Sequence, residues 1–98
     1  MEFVRTGIIL CTERYTECVS FYGRVFKLEK LFEKNEQGFK LTCFDFSGSY
    51  LMIEMGGVAK SNPKTVNENP TKLRFNVESL QEAQQSLRDQ KIECEIEH

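Results

Sequence analysis

The sequence predicts an α+β fold of paired βαβββ modules, the second cut short after βαβ. Three observations carry this. Runs of alternating apolar and polar residues mark half-buried strands, apolar residues at three- and four-residue steps mark two helices, and the strand-then-helix order at 3–26 recurs at 71–90.

The first strand is Phe3 to Cys11, and Thr12 stands where a helix N-cap hydroxyl is expected. From Tyr15, the residues Cys18, Val19, Tyr22, Val25 and Phe26 form one apolar stripe, widened by Phe21. Glu29 to Asn35 reads as a short charged strand, and Asn35 to Gly38 as a turn. Phe39 to Phe46 and Tyr50 to Met55 are two β-rich runs joined through Ser47-Gly48-Ser49, the pattern of antiparallel neighbours. In the second run Leu51, Ile53 and Met55 point one way and Tyr50, Met52 and Glu54 the other. Gly56-Gly57 ends it. A polar linker over 57–70 follows, with Pro63 and Pro70.

Thr71 to Val77 is a predicted strand in which Leu73, Phe75 and Val77 alternate with Lys72, Arg74 and Asn76. Ser79 and Glu82 make a capping box for a helix whose apolar face is Leu80, Ala83 and Leu87, with Arg88 and Lys91 at its negative end. Ile92, Cys94 and Ile96 alternate with Glu93 and Glu95 in a closing strand. The organisation is thus one domain over 1–98, with module one at 3–56 and a partial module two at 71–97.

Composition narrows the function classes. At 98 residues and 40% apolar positions the chain is one small domain with a thin core. A net charge of −2, without any basic run, argues against nucleic acid as a partner. The longest uncharged stretch is interrupted too often for a membrane span, and Glu2 and Arg5 flank an N-terminus that reads as a strand instead of a secretory signal. A cytoplasmic protein with no membrane partner is expected. Cys11, Cys18, Cys43 and Cys94 lack the close spacing of zinc or redox motifs and read as packed, reduced thiols. With His98 the single histidine, no cysteine or serine has an evident imidazole base.

Gly7-Ile8-Ile9-Leu10, the capped turn, and Ser20-Phe21-Tyr22 before Val25-Phe26-Lys27-Leu28 resemble the opening of the vicinal oxygen chelate superfamily, the glyoxalase, bleomycin-resistance and extradiol-dioxygenase group. Tyr50 to Glu54 resembles its fourth strand, which typically ends in a metal-binding Glu, and Leu73 to Leu80 the start of its second module. The resemblance covers nearly the whole chain. It implies two half-sheets curved round a pocket, helices outside, and in active members a divalent metal on four side chains.

The chain departs from that pattern. The first ligand position falls on Gly7, or on Arg5 with the register moved by two, and its second-module counterpart on Lys72. Only Glu54 offers oxygen to a hard cation, so no metal site and no cofactor are expected, with Glu54 the one weak metal candidate. The resemblance also calls for two further strands after the one ending near Glu97; the chain is expected to be a fragment lacking them, the alternatives being that a partner supplies the strands or that the second half is built differently.

On the implied fold, Leu51, Ile53, Leu73, Phe75, Val77, Ile92, Cys94 and Ile96 lie under the helices, with Phe44. Arg5, Gly7, Ile9, Cys43, Asp45, Tyr50, Met52, Glu54, Lys72, Arg74 and Asn76 face the pocket. Arg5, Lys72 and Arg74 would hold a carboxylate or phosphate, Tyr50 and Met52 would wall the ligand, and Glu54 would orient it or accept a proton as the catalytic candidate. The same alternation also describes the solvated side of a half-buried sheet, with Arg74 and Glu54 neutralising each other.

The expected function is a metal-free small-molecule-binding protein resembling the bleomycin-resistance branch, holding its ligand in the cleft of a homodimer. The alternatives are a metal-dependent lyase or dioxygenase of the glyoxalase type using Glu54, and a structural or assembly module with no ligand.

Overall fold

Ser49–Met55 pairs on both sides, and the sheet is built outward from it. In the computed structural model, which describes residues 1–57 and 61–93, β1 is Gly7–Thr12, β2 Lys30–Glu36, β3 Phe39–Phe46 and β4 Ser49–Met55, in the spatial order β1-β4-β3-β2. β1 runs parallel to β4, and the other pairs are antiparallel. The β2–β3 and β3–β4 hairpins each turn on two residues with positive φ, Gln37-Gly38 and Ser47-Gly48. That turn suits the right-handed twist of paired strands, which is why glycine stands second in both.

A parallel pair needs a crossover, and the helical segment after β1 supplies it. It begins as α1, Tyr15–Ser20, and continues without a break as a π-helical turn over Phe21–Val25. Its end is closed by Lys27 in the left-handed region, with the Leu28 N–H donating to the Tyr22 carbonyl at 3.3 Å. The predicted stripe is the side that packs: Val25 is buried, and Tyr15, Cys18, Val19, Phe21, Tyr22 and Phe26 are half-buried. Phe21, Tyr22 and Phe26 meet as an aromatic trio, two of the contacts edge-on with ring centroids 5.4 and 5.2 Å apart.

This segment covers one face of the sheet. Tyr15 Oη and Thr42 Oγ1 share a short hydrogen bond that satisfies the hydroxyl of fully buried Thr42. A side chain at Gly23 would come 3.3 Å from the Phe44 ring, so the helical backbone approaches closely there. Leu51 and Ile53 have no exposed surface at all. Thr12 does not cap the helix. Its hydroxyl accepts from the Arg14 N–H at 2.9 Å, Arg14 takes the N-cap position, and no side chain caps the helix start. The correction has a simple cause: β1 runs through Thr12, which leaves a two-residue turn before the helix begins.

The chain divides into two compact units, Met1–Ser61 and Asn62–His98. The second contains α2, Leu80–Asp89, capped by Ser79 Oγ, which accepts from the Glu82 N–H at 3.1 Å. At its end Lys91 is left-handed and the Ile92 N–H donates to the Leu87 carbonyl. Ala83 and Leu87 are half-buried, while Leu80 is exposed. Among the described residues the predicted strand over 71–77 does not form. Phe75 and Val77, expected under a helix, are 38% and 47% exposed. Alternation specifies which side chains a strand would bury, but a strand exists only where a neighbouring strand takes its backbone hydrogen bonds. Cys94 and Ile96 of the predicted closing strand lie outside the described residues. The architecture is α+β, a four-stranded mixed sheet with two helices, and the first unit is a βαβββ module. Among the described residues no helix is long and apolar enough to cross a membrane.

Two substitutions grade this core. Ile53→Ala leaves a cavity under the helical segment and is expected to cost about 2–5 kcal/mol in urea unfolding. Tyr15→Phe leaves only the Thr42 hydroxyl without its partner and is expected to cost about 1 kcal/mol by the same measurement.

Candidate functional site

The face of the sheet away from α1 is organised in rows set by strand register. One row is Ile9, Met52, Cys43 and Phe32, each paired with the next across the sheet. On one side of it, Gly7, Tyr50 and Asp45 are partners; on the other, Cys11, Glu54, Leu41 and Lys34. Side chains two apart on a strand share a face at a spacing of about 7 Å, so an apolar row lies between two mixed rows that carry the charges Asp45, Glu54 and Lys34. Ile9 is 50% and Phe32 44% exposed at its ends, with Met52 half-buried and Cys43 only 2% exposed between them.

Gly7 has a reason to be glycine. A Cβ there would sit within the Tyr50 ring, so the ring lies flat on the β1 backbone and becomes part of the floor. Arg5, just before β1, is held by three acceptors. Its Nε donates to the Gly48 carbonyl at 2.9 Å, and its Nη2 donates to Asp45 Oδ1 at 2.6 Å and to the Ser49 carbonyl at 3.2 Å. That arrangement ties the N-terminal segment to the β3–β4 turn and neutralises the cation.

The Glu54 carboxylate stands at the opposite margin. The Cys11 thiol donates to its Oε2 at 4.0 Å, and among the described residues no Lys or Arg nitrogen comes within ion-pair distance. Cys11 is exposed, contrary to its expected packing role, because β1 turns this alternate set of side chains away from the helix. Burial pushes the Cys43 thiol above its ordinary range, with Arg5 opposing, so it stays protonated and serves as floor. Burial likewise raises the Tyr22 phenol, and Cys18 adds to the effect.

Tyr50, Met52 and Glu54 are thus brought together, and Arg5 borders them. Lys72 and Arg74 belong to the Asn62–His98 unit, in the exposed segment without strand pairing. Phe32 was absent from the residues expected at the pocket. β2 has no two-residue period to mark it, since Leu31 and Phe32 are adjacent, and its position opposite Cys43 follows from the register shift between Lys30 and Phe32.

A divalent cation of the kind the superfamily holds is poorly matched by these donors. One carboxylate and one thiol face each other, Gly7 brings no ligand, and among the described residues no three His, Cys, Asp or Glu side chains come together.

No protein-family model matches the chain, and no curated relative matches it. Its fold does match solved structures. A mutant of the genomically encoded fosfomycin resistance protein FosX from Listeria monocytogenes, complexed with Mn(II) and 1S,2S-dihydroxypropylphosphonic acid, superposes with a TM-score of 0.72 at 16% identity, over 100% of this chain and 77% of that one. FosX from the same organism in complex with Mn(II) and sulfate gives 0.67 at 13% identity, over 95% and 75% of the two chains. A monoclinic form at pH 5.75 gives 0.69 at 16% identity, over 95% and 74%. The likeness is one of fold.

The Gly7–Tyr50 contact is open to a direct test. Gly7→Ala displaces the ring and is expected to lower stability by about 1–3 kcal/mol. In Tyr50→Ala the same glycine substitution is expected to cost much less, so a double-mutant cycle by urea unfolding will show strong non-additivity.

Proposed function

We propose that this chain is a small-molecule-binding protein, similar to the bleomycin-resistance branch of the superfamily, that holds its ligand against the sheet face carrying Tyr50, Met52 and Glu54. The observation that carries the reading is the row Ile9, Met52, Cys43 and Phe32, with large apolar side chains exposed at both ends on the face opposite α1. Apolar floors with a few convergent polar groups are what ligand sites are made of. Arg5 borders this floor as a positioned group.

Homodimer formation and a cytoplasmic location belong to the same proposal. Supporting the dimer, β2 is studded with Lys30, Glu33, Lys34 and Glu36, charges that discourage edge pairing, whereas β1, the other edge, carries none from Gly7 to Thr12. Sedimentation is expected to show a dimer at micromolar concentration, and a monomer there counts against a shared cleft.

A second reading keeps a metal-dependent enzyme of the glyoxalase type, with Glu54 as ligand or proton acceptor. What favours it is that two of the FosX structures sharing the fold were determined with Mn(II). When bound, such a metal would polarise adjacent substrate oxygens. This chain's part would be the Glu54 carboxylate and the apolar floor that orients the substrate.

Thermal shift separates the two. Under the binding reading, an apolar or aromatic small molecule at about a hundred times its Kd raises stability by about 2.7 kcal/mol, and Met52→Asp abolishes the shift. Under the enzyme reading, Mn(II) raises the melting temperature and Glu54→Ala removes the rise. A protein that no metal stabilises sets the second reading aside.

A further inference from the structure

The charges around the apolar row bias what the face will accept: Arg5 and Asp45 stand at one margin, Glu54 and, two strands away across Leu41, Lys34 at the other. Arg5, the cation at one margin, already donates to Asp45, Gly48 and Ser49, so an anion arriving there must break an existing ion pair. Glu54, at the other margin, is an anion whose described partner is a weak thiol donor at 4.0 Å. We infer that the ligand of this face is an organic cation, an apolar or aromatic body carrying a protonated amine, with the ammonium on Glu54 and the body across Met52. This rests on the small-molecule-binding reading and adds the ligand's charge and shape to it.

Spacing limits the molecule. Glu54 and Met52 are two residues apart on β4, about 7 Å along the strand. An amine one or two bonds from a ring spans that distance; a longer tether would carry the ring past Met52 toward Tyr50. The half-buried surroundings of Glu54 and Met52 strengthen a charge-assisted hydrogen bond relative to one in bulk water. An arylmethyl or arylethyl ammonium therefore satisfies both the carboxylate and the floor, whereas a carboxylate of the same body meets Glu54 as a like charge.

Three naphthalene probes that differ only in charge test this on the full chain, dialysed against EDTA so that no metal occupies Glu54: 2-naphthylmethylamine, 2-naphthylmethanol and 2-naphthoate. Calorimetric titration at low salt is expected to show the amine binding about tenfold more tightly than the alcohol, and the naphthoate weakest. In Glu54→Gln, checked for folding by circular dichroism, the amine is expected to fall to the alcohol's affinity. Raising the salt concentration is expected to narrow the preference in the original chain. Equal affinities for amine and alcohol, tighter binding of the naphthoate, or an amine preference that survives in Glu54→Gln overturns the charge inference while leaving an apolar ligand face. Failure of all three probes to bind overturns the inference together with the reading beneath it.

Discussion

Everything in the first unit depends on the alternation within β4. This strand has a neighbour on each side, β1 in parallel and β3 antiparallel, so its backbone groups are taken and its side chains have no freedom to change face. Leu51 and Ile53 are locked under the helical segment, and Tyr50, Met52 and Glu54 are thereby fixed on the other side. A slip of one residue would bury Glu54 and expose Ile53. The cost of a buried, unpaired carboxylate is several kcal/mol at least, and so the open face is as rigidly defined as the core.

The two faces are finished by different means. Under the helix the finish is apolar packing with one buried hydroxyl pair, Tyr15 to Thr42, and a backbone approach allowed by Gly23. On the open side a ring laid on Gly7 and a guanidinium clamped to the β3–β4 turn hold the margin in place. Arg5 is a charge beside this face that is already engaged: three acceptors take its Nε and Nη2 donors, and this fixes the N-terminal segment.

The structural likeness to FosX carries the fold and stops there. One scaffold hosts many chemistries, and what differs between members is the handful of side chains at the strand positions that face inward. At those positions this chain has Gly7, Tyr50, Met52 and Glu54. A glycine under a tyrosine ring makes a floor, and it gives up a coordinating atom to do so. The same residue choice that lays the ring on the sheet therefore weakens the match to a metal centre.

Much of this was legible in the sequence. The two-residue period of β4 placed Leu51 and Ile53 against Tyr50, Met52 and Glu54; the spacing of Cys18, Val19, Tyr22 and Val25 gave the helical stripe; Gly38 and Gly48 gave the hairpin turns; and Ser79 with Glu82 gave the start of α2. All of these are local, governed by dihedral preference and side-chain period along a few consecutive residues. What the chain could not announce is which distant residues become neighbours. The opposition of Phe32 and Cys43 across a register shift, the capture of Arg5 by Asp45, and the meeting of Cys11 with Glu54 each depend on a partner far away in the sequence. Periodicity states what a segment has to bury, and only the folded chain decides what it is buried against.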